Sequence, residues 1–405
     1  MRNRTSRVRY TIIAFLAAMA LLHGIFFWHA RHLIATRYPD FTAFYAAGTI
    51  VRTGMGHELY NPAIQIRIER EVIGRASTIP PLPFLRPPWE ALAFAPLTFL
   101  GYVGAFCLWN AVGISFLVLW VRALRKNFPN LRGYSWLFWT LALAGFFPVF
   151  LNLPMGQDAI PFLLLVTVAF LALKKDDPFK AGLLLGLASF KPQIVLPLLL
   201  IVMSRPQRGR LFTGFLLITG ALTLVSAGIS GWSSVLRYPR YLLEVNRNLG
   251  NGTITPTDMP NLRGLLAVLG ADRIWQIVVA CVSVALIVIA GRMWRKAKES
   301  WSLDEAFSFS VIFALLVGYH THIYDMALLI LPIALRFNAP LRAADLHKHA
   351  MELFSITVLF FTPLYLFLIG HALNGLLAIP IFLFGLSLSS GGKDARANIN
   401  PSMGI

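Results

Sequence analysis

Charge is what this chain has least of. Asp, Glu, Lys and Arg make up 13% of its 405 residues, about half the share of an ordinary soluble domain. Acidic residues are the scarcer, 18 against 36 basic, for a net charge of +18. In a soluble protein such a balance points to nucleic acid. Here the basic residues fall in short clusters between apolar runs, the pattern that orients membrane helices, so no nucleic-acid partner is expected. Two cysteines, Cys107 and Cys281, both inside apolar segments, exclude a disulfide framework and a cysteine metal site. Neither GxxxxGK[ST] nor a GxGxxG after a strand occurs, which excludes the usual nucleotide cradles. No small-residue cleavage site follows the first apolar segment. It is therefore expected to stay as a first helix behind the cytoplasmic cluster Arg2, Arg4, Arg7 and Arg9.

What is present is apolar: 57% of the residues are hydrophobic and the mean hydropathy is +0.66, the profile of an integral membrane protein. Segments of spanning or near-spanning length lie at 10–29, 101–121, 134–152, 158–173, 211–229, 273–291, 305–319, 323–336, 351–369 and 373–388. Between them, 180–203 carries Lys191-Pro192 at its middle and joins two basic clusters. Read as two half-helices, 181–190 and 192–203, it leaves 23 Lys and Arg on the cytoplasmic side and 13 on the other, the asymmetry expected of membrane proteins. The expected fold is thus an all-α polytopic bundle of about twelve transmembrane helices, two of them half-helices. Irregular backbone and a charge at membrane depth need a protein-enclosed or wet cavity, so Lys191 is expected at the floor of a cavity open to the outer side.

One domain is expected over 1–390, with residues 391–405 as a disordered cytoplasmic tail. The outer first loop, 30–100, holds an amphipathic segment, Ala63 to Ile73, with Ile64, Ile68 and Val72 at four-residue spacing. A stiff proline-rich approach, Pro80 to Trp89, carries Arg86. Near the loop's start, Tyr38-Pro39-Asp40-Phe41 opens a helix, where Asp40 is either an N-cap or a functional carboxylate. The twelve-helix topology brings further polar residues to the same side: Gly156-Gln157-Asp158, Lys191, Asn261, Arg263, His320, His322 and Asp325. Arg86 and Arg263 could equally pair with lipid phosphate, Gln157 could bridge helices, and His320 and His322 could be ordinary interfacial residues. Two histidines so spaced fall on different helix faces, so no zinc site is expected. A carboxylate facing cations suits transfer of a group away from a phosphate: the cations take the charge of the leaving phosphate, and the carboxylate takes the proton of an attacking hydroxyl. That phosphate would be a lipid's.

Five stretches in order, YPDFTAFYAAGTIVRTGMGHELYNP, RPPWEALAFAPL, MGQDAIPFLLL with KAGLLLGLASFKPQ, MPNLRGLL and HTHIYDMALLILP, resemble the polytopic glycosyltransferases of family 87. The resemblance covers about residues 38–335. It implies a GT-C-type fold and inverting transfer of a hexose, mannose in the first place, from a polyprenyl-phosphate donor to a lipid or glycan acceptor. The setting it implies is the outer face of a bacterial inner membrane. It further implies Asp40 as the general base and a late-loop histidine, His322 or His320, near the donor phosphate. Lys191, Arg86 and Arg263 are expected on the phosphate side, and Tyr45, Gln157, Asn261 and Asp325 are left to position substrate. No cofactor is expected, with a divalent metal left open. The rival readings are a secondary transporter, which also uses broken helices, and a flippase of lipid-linked sugars in which Asp40 is only a cap.

Overall fold

The computed structural model describes residues 2–35, 40–73, 82–204, 208–247, 255–268, 273–300, 302–338 and 346–389. The Tyr38-Pro39 half of the opening turn, Pro80-Pro81 and the 391–405 tail lie outside these. Among the described residues every regular element is helical. A first helix, α1 (Arg2–Ala35), leads to a loop domain of α2 (Phe41–Arg52), α3 (Pro62–Ile73) and α4 (Pro88–Phe94). Then come α5 (Tyr102–Asn127), a single turn α6 (Pro129–Arg132), α7 (Trp136–Ala144), α8 (Phe147–Met155) and α9 (Ala159–Lys174). The half-helices are α10 (Pro178–Leu187) and α11 (Pro192–Val202), followed by the long α12 (Arg208–Arg247) and short α13 (Leu262–Ala267). The remainder is α14 (Arg273–Ser300), α15 (Leu303–Val317), α16 (Ile330–Asn338), α17 (Leu346–Phe360), α18 (Thr362–Gly370) and α19 (Ala378–Ser389).

Each of the twelve apolar segments contains helix, but most of those helices are shorter than a bilayer requires. Among the described residues four are long and apolar enough to cross: within α1, α5, α12 and α14. Two bent pairs, α7 with α8 at 70° and α17 with α18 at 63°, raise the number to six. The expected count of twelve is not confirmed, because the helices of the other six segments, α9, α10, α11, α15, α16 and α19, have only 9 to 16 residues. Pro148 and Pro363 sit in the first turns after the two bends, where a missing N–H costs no helical bond. His23 on α1 joins both bends: its Nδ1 donates to the Ala144 carbonyl at 2.6 Å and its Nε2 meets the Thr362 hydroxyl at 2.7 Å. The break at Lys191 falls where the sequence places it. There α10 packs closely along α12, because Gly182 and Gly186 leave room for it; a methyl group on Gly182 would collide with the Leu211 carbonyl.

Two apolar cores result. The larger fills the bundle from α5 to α19. The smaller joins the loop domain to α12 through Phe41, Phe44, Leu59, Phe84, Phe94 and Tyr241. Residues 82–86 join the smaller core through Phe84 and Leu85, and side chains satisfy much of their backbone. Glu69 and Gln65 of α3 accept from the Leu82 and Phe84 amides at 2.8 and 3.3 Å. Tyr238 of α12 donates to the Leu85 carbonyl at 3.1 Å, and Tyr60 donates to the Arg86 carbonyl at 2.8 Å. On α3 the buried face is therefore Gln65, Ile68 and Glu69, with Ile64 and Val72 half-buried beside it. The segment carrying Arg86 is held at several points.

Candidate active site

Asp40 stands at the N-cap position of α2, yet its side chain makes no capping bond; its backbone is helical, φ −55° and ψ −22°. The Asp40 carbonyl accepts from the Ala43 amide instead, at 3.1 Å. The carboxylate receives the Gln157 side-chain amide at 2.6 Å and lines a cavity of about 750 Å³. Burial raises the Asp40 carboxyl above its ordinary range, and the Gln157 bond and the Arg86 charge pull it back only in part. A half-buried carboxylate with one neutral donor and raised basicity can take a proton.

Asp158, in the next turn, is treated differently. Asn152 Oδ1 takes the Ala159 amide at 3.1 Å, so Asp158 is not needed to cap α9. Arg86 reaches it with Nε and Nη2 at 2.8 and 3.1 Å. Lys191 Nζ lies 2.5 Å from Asp158 Oδ1 and 2.6 Å from Asp325 Oδ1. The sequence places Lys191 at a cavity floor awaiting an anion; in the structure it is fully buried between two carboxylates, which offset its desolvation. Glu90, Arg86's neighbour at 3.8 Å, is also buried. Burial and the adjacent Asp158 charge raise its carboxyl well above the ordinary range and favour the neutral acid.

The loop 318–325 carries the histidines and is clamped from outside. Asn261 Nδ2 donates to the Gly318 carbonyl at 2.5 Å. Arg263 donates to the Tyr319 carbonyl at 3.1 Å and stacks on its ring at 4.1 Å. Gln193 donates to the His320 carbonyl at 3.1 Å. Asp325 Oδ2 accepts the His322 amide at 2.9 Å within a capping box. Burial pushes His320 down to about 3, helped by the Arg263 charge, and lowers His322 also, with Asp325 opposing. Both imidazoles are neutral near neutral pH, and each keeps one N–H to donate.

Of the residues singled out from the sequence, Asp40, Arg86, Gln157, His320, His322 and Asp325 line the one cavity. Lys191, Asn261 and Arg263 brace those that do. Tyr45 packs against Phe41 and Tyr102 and donates to the Leu100 carbonyl at 2.9 Å. Tyr324, Gln193 and Asp258 also line the cavity and went unread, as did Glu90. Glu90 follows Arg86 by one helical turn in RPPWE, a spacing that could have flagged it.

The chemistry this cavity offers is a proton acceptor beside an arginine and two neutral imidazole donors, with an apolar flank that includes Leu196, Leu242, Leu243 and Val317. Comparison with known proteins agrees in class. The family model described as glycosyltransferase family 87 matches residues 84–318, more than half of the chain. Asp40, His320 and His322 lie outside that match. No curated protein and no solved structure matches the chain. With several helices of spanning length and a match over most of its bundle, the chain belongs to glycosyltransferase family 87 and is a multi-pass membrane glycosyltransferase that takes a sugar donor and an acceptor.

Proposed function

We propose that this enzyme transfers a hexose, mannose first among the candidates, from a polyprenyl phosphate to a hydroxyl of a lipid or glycan acceptor. Transfer takes place on the outer face of a bacterial inner membrane within a GT-C-type bundle. Asp40 removes the acceptor hydroxyl proton as that oxygen attacks the anomeric carbon. The bond from that carbon to the phosphate oxygen breaks, and the lipid phosphate leaves with the electron pair. Arg86 and the imidazole N–H groups of His322 and His320 take up the growing negative charge. A single displacement of this kind inverts the anomeric centre. Gln157 orients the base, and Asn261, Arg263 and Asp325 hold the histidine loop.

The observation that carries this reading is the position of Asp40: released from capping, held by one neutral amide, and open to the cavity that Arg86 and both histidines share. The larger share of basic residues on the other side of the expected topology supports an outer-facing site. The reading is tested with purified protein in lipid, offered a panel of synthetic polyprenyl-phosphate hexoses and an extract of candidate acceptors. Acceptor-dependent release of polyprenyl phosphate, with NMR showing the product anomer opposite to the donor's, is expected. A product that retains the donor configuration overturns the single displacement. Turnover confined to donors without a lipid phosphate overturns the donor class.

A further inference from the structure

Four charged groups of alternating sign form one chain through the protein: Arg86, Asp158, Lys191 and Asp325, with links of 2.8, 2.5 and 2.6 Å. They come from four separate segments, namely the 82–87 strap, the α8–α9 turn, the break between the half-helices and the turn after His322. A fourth link, 2.9 Å from Asp325 Oδ2 to the His322 amide, continues the chain into the histidine loop. The two ends, Arg86 and Asp325, line the cavity, while the middle pair, Asp158 and Lys191, is at most 1% exposed and lies behind the lining residues. Buried ion pairs seldom exceed a well-packed apolar substitute in stability, and ionisable groups inside a membrane protein are functional candidates by default.

We propose that Asp158 and Lys191 are positioning residues of the transfer reaction, fixing Arg86 relative to His322 without either of them touching the phosphate. The inference rests on the reading of Arg86 and His322 as the phosphate-side groups. Asp158 holds the arginine by two of its nitrogens, which sets the direction of the guanidinium plane. Lys191 then ties Asp158 to Asp325, and Asp325 ties the start of the 322–325 turn. Losing a middle link leaves both phosphate-side groups present but lets their separation drift, and an error near 1 Å at a reacting centre costs about a hundredfold in rate. A lysine that bound the phosphate directly would behave otherwise, because its loss would weaken donor binding.

The test compares Asp158→Asn, Lys191→Met and the double variant with wild type in donor kinetics. In parallel, the His322 ring signals are followed by ¹⁵N NMR of histidine-labelled protein, assigned with His322→Gln. Each single variant is expected to lower kcat about a hundredfold with donor KM little changed, and the double is expected to be no worse than the poorer single, as members of one chain are. The His322 ring signals are expected to move in all three. Losses that multiply in the double, a raised donor KM with kcat intact, or an unmoved His322 signal would each overturn the proposal. If wild type releases no lipid phosphate from any polyprenyl-phosphate donor, the donor reading fails on its own. The His322 signal then still decides the chain, moving if it exists and staying if it does not. Should Asp158→Asn not fold, Asp325→Asn reads the same link, since its amide oxygen keeps the His322 bond and only the Lys191 pairing is lost.

Discussion

Asp40 and Asp158 are joined through a single residue, Gln157, and the protein uses them in opposite ways. Asp40 is half-buried, faces the cavity and has one neutral donor. Asp158 is 1% exposed and bound by two cations. A carboxylate that must gain and lose a proton is poorly served by a direct ion pair, because the pair favours the charged form and lowers basicity. A carboxylate that must hold cations in place needs that pair. Glu69 is a third case: buried, with a backbone amide as partner, it is pushed up to about 8 by burial, which the Leu82 N–H opposes in part.

The comparison breaks most readily at Asp158. Asp158→Asn leaves Arg86 and Lys191 with a neutral partner, and removing one side of a buried pair costs about 3–5 kcal/mol. Asp40→Asn breaks no ion pair, so its thermal unfolding midpoint should equal or exceed that of wild type. Equal losses in the two variants would erase the distinction. Glu69→Gln sharpens it. The native state holds the Glu69 proton more tightly than the unfolded chain, so wild-type stability should fall as pH rises from the ordinary 4.5 to about 8. The Gln variant should show a shallower decline, with the part due to Asp40 and Glu90 remaining, which unfolding curves across this range will show. Gln157→Leu removes a bond that favours ionised Asp40. The acid limb of the pH–rate profile should move up by about one to two pH units; a downward move would contradict the assignment. The smallest effect is expected at Tyr45→Phe, which loses one hydrogen bond worth about 1 kcal/mol and should keep full activity. A large fall in kcat there would return Tyr45 to substrate positioning.

Much of this was legible in sequence where the signal is local. Lys191-Pro192 marks the broken segment because proline tolerates a helix start and a lysine resists lipid. The 63–73 helix follows from its spacing, and Asp40, Arg86, Gln157 and the two histidines follow from their places at the ends of apolar runs. The pairings were not legible. Lys191 meets carboxylates 33 and 134 residues away, and no pattern in one chain distinguishes a lysine that awaits an anion from one that already has two. Bends at Gly145-Phe146 and Phe361 were not legible either, because apolar length reveals no bend, and half of the twelve expected segments fold into helices too short to count as spans by length.

The central claim is that Asp40 is the base, and the rate of acceptor-dependent polyprenyl phosphate release tests it most directly. Wild type and Asp40→Asn are compared in the same lipid, with matched unfolding midpoints as evidence that both are folded. Asn fills the same space and keeps the Gln157 contact but cannot take the proton, so release should fall by about two to four orders of magnitude. Release by the Asn variant at the wild-type rate would remove Asp40 from the chemistry.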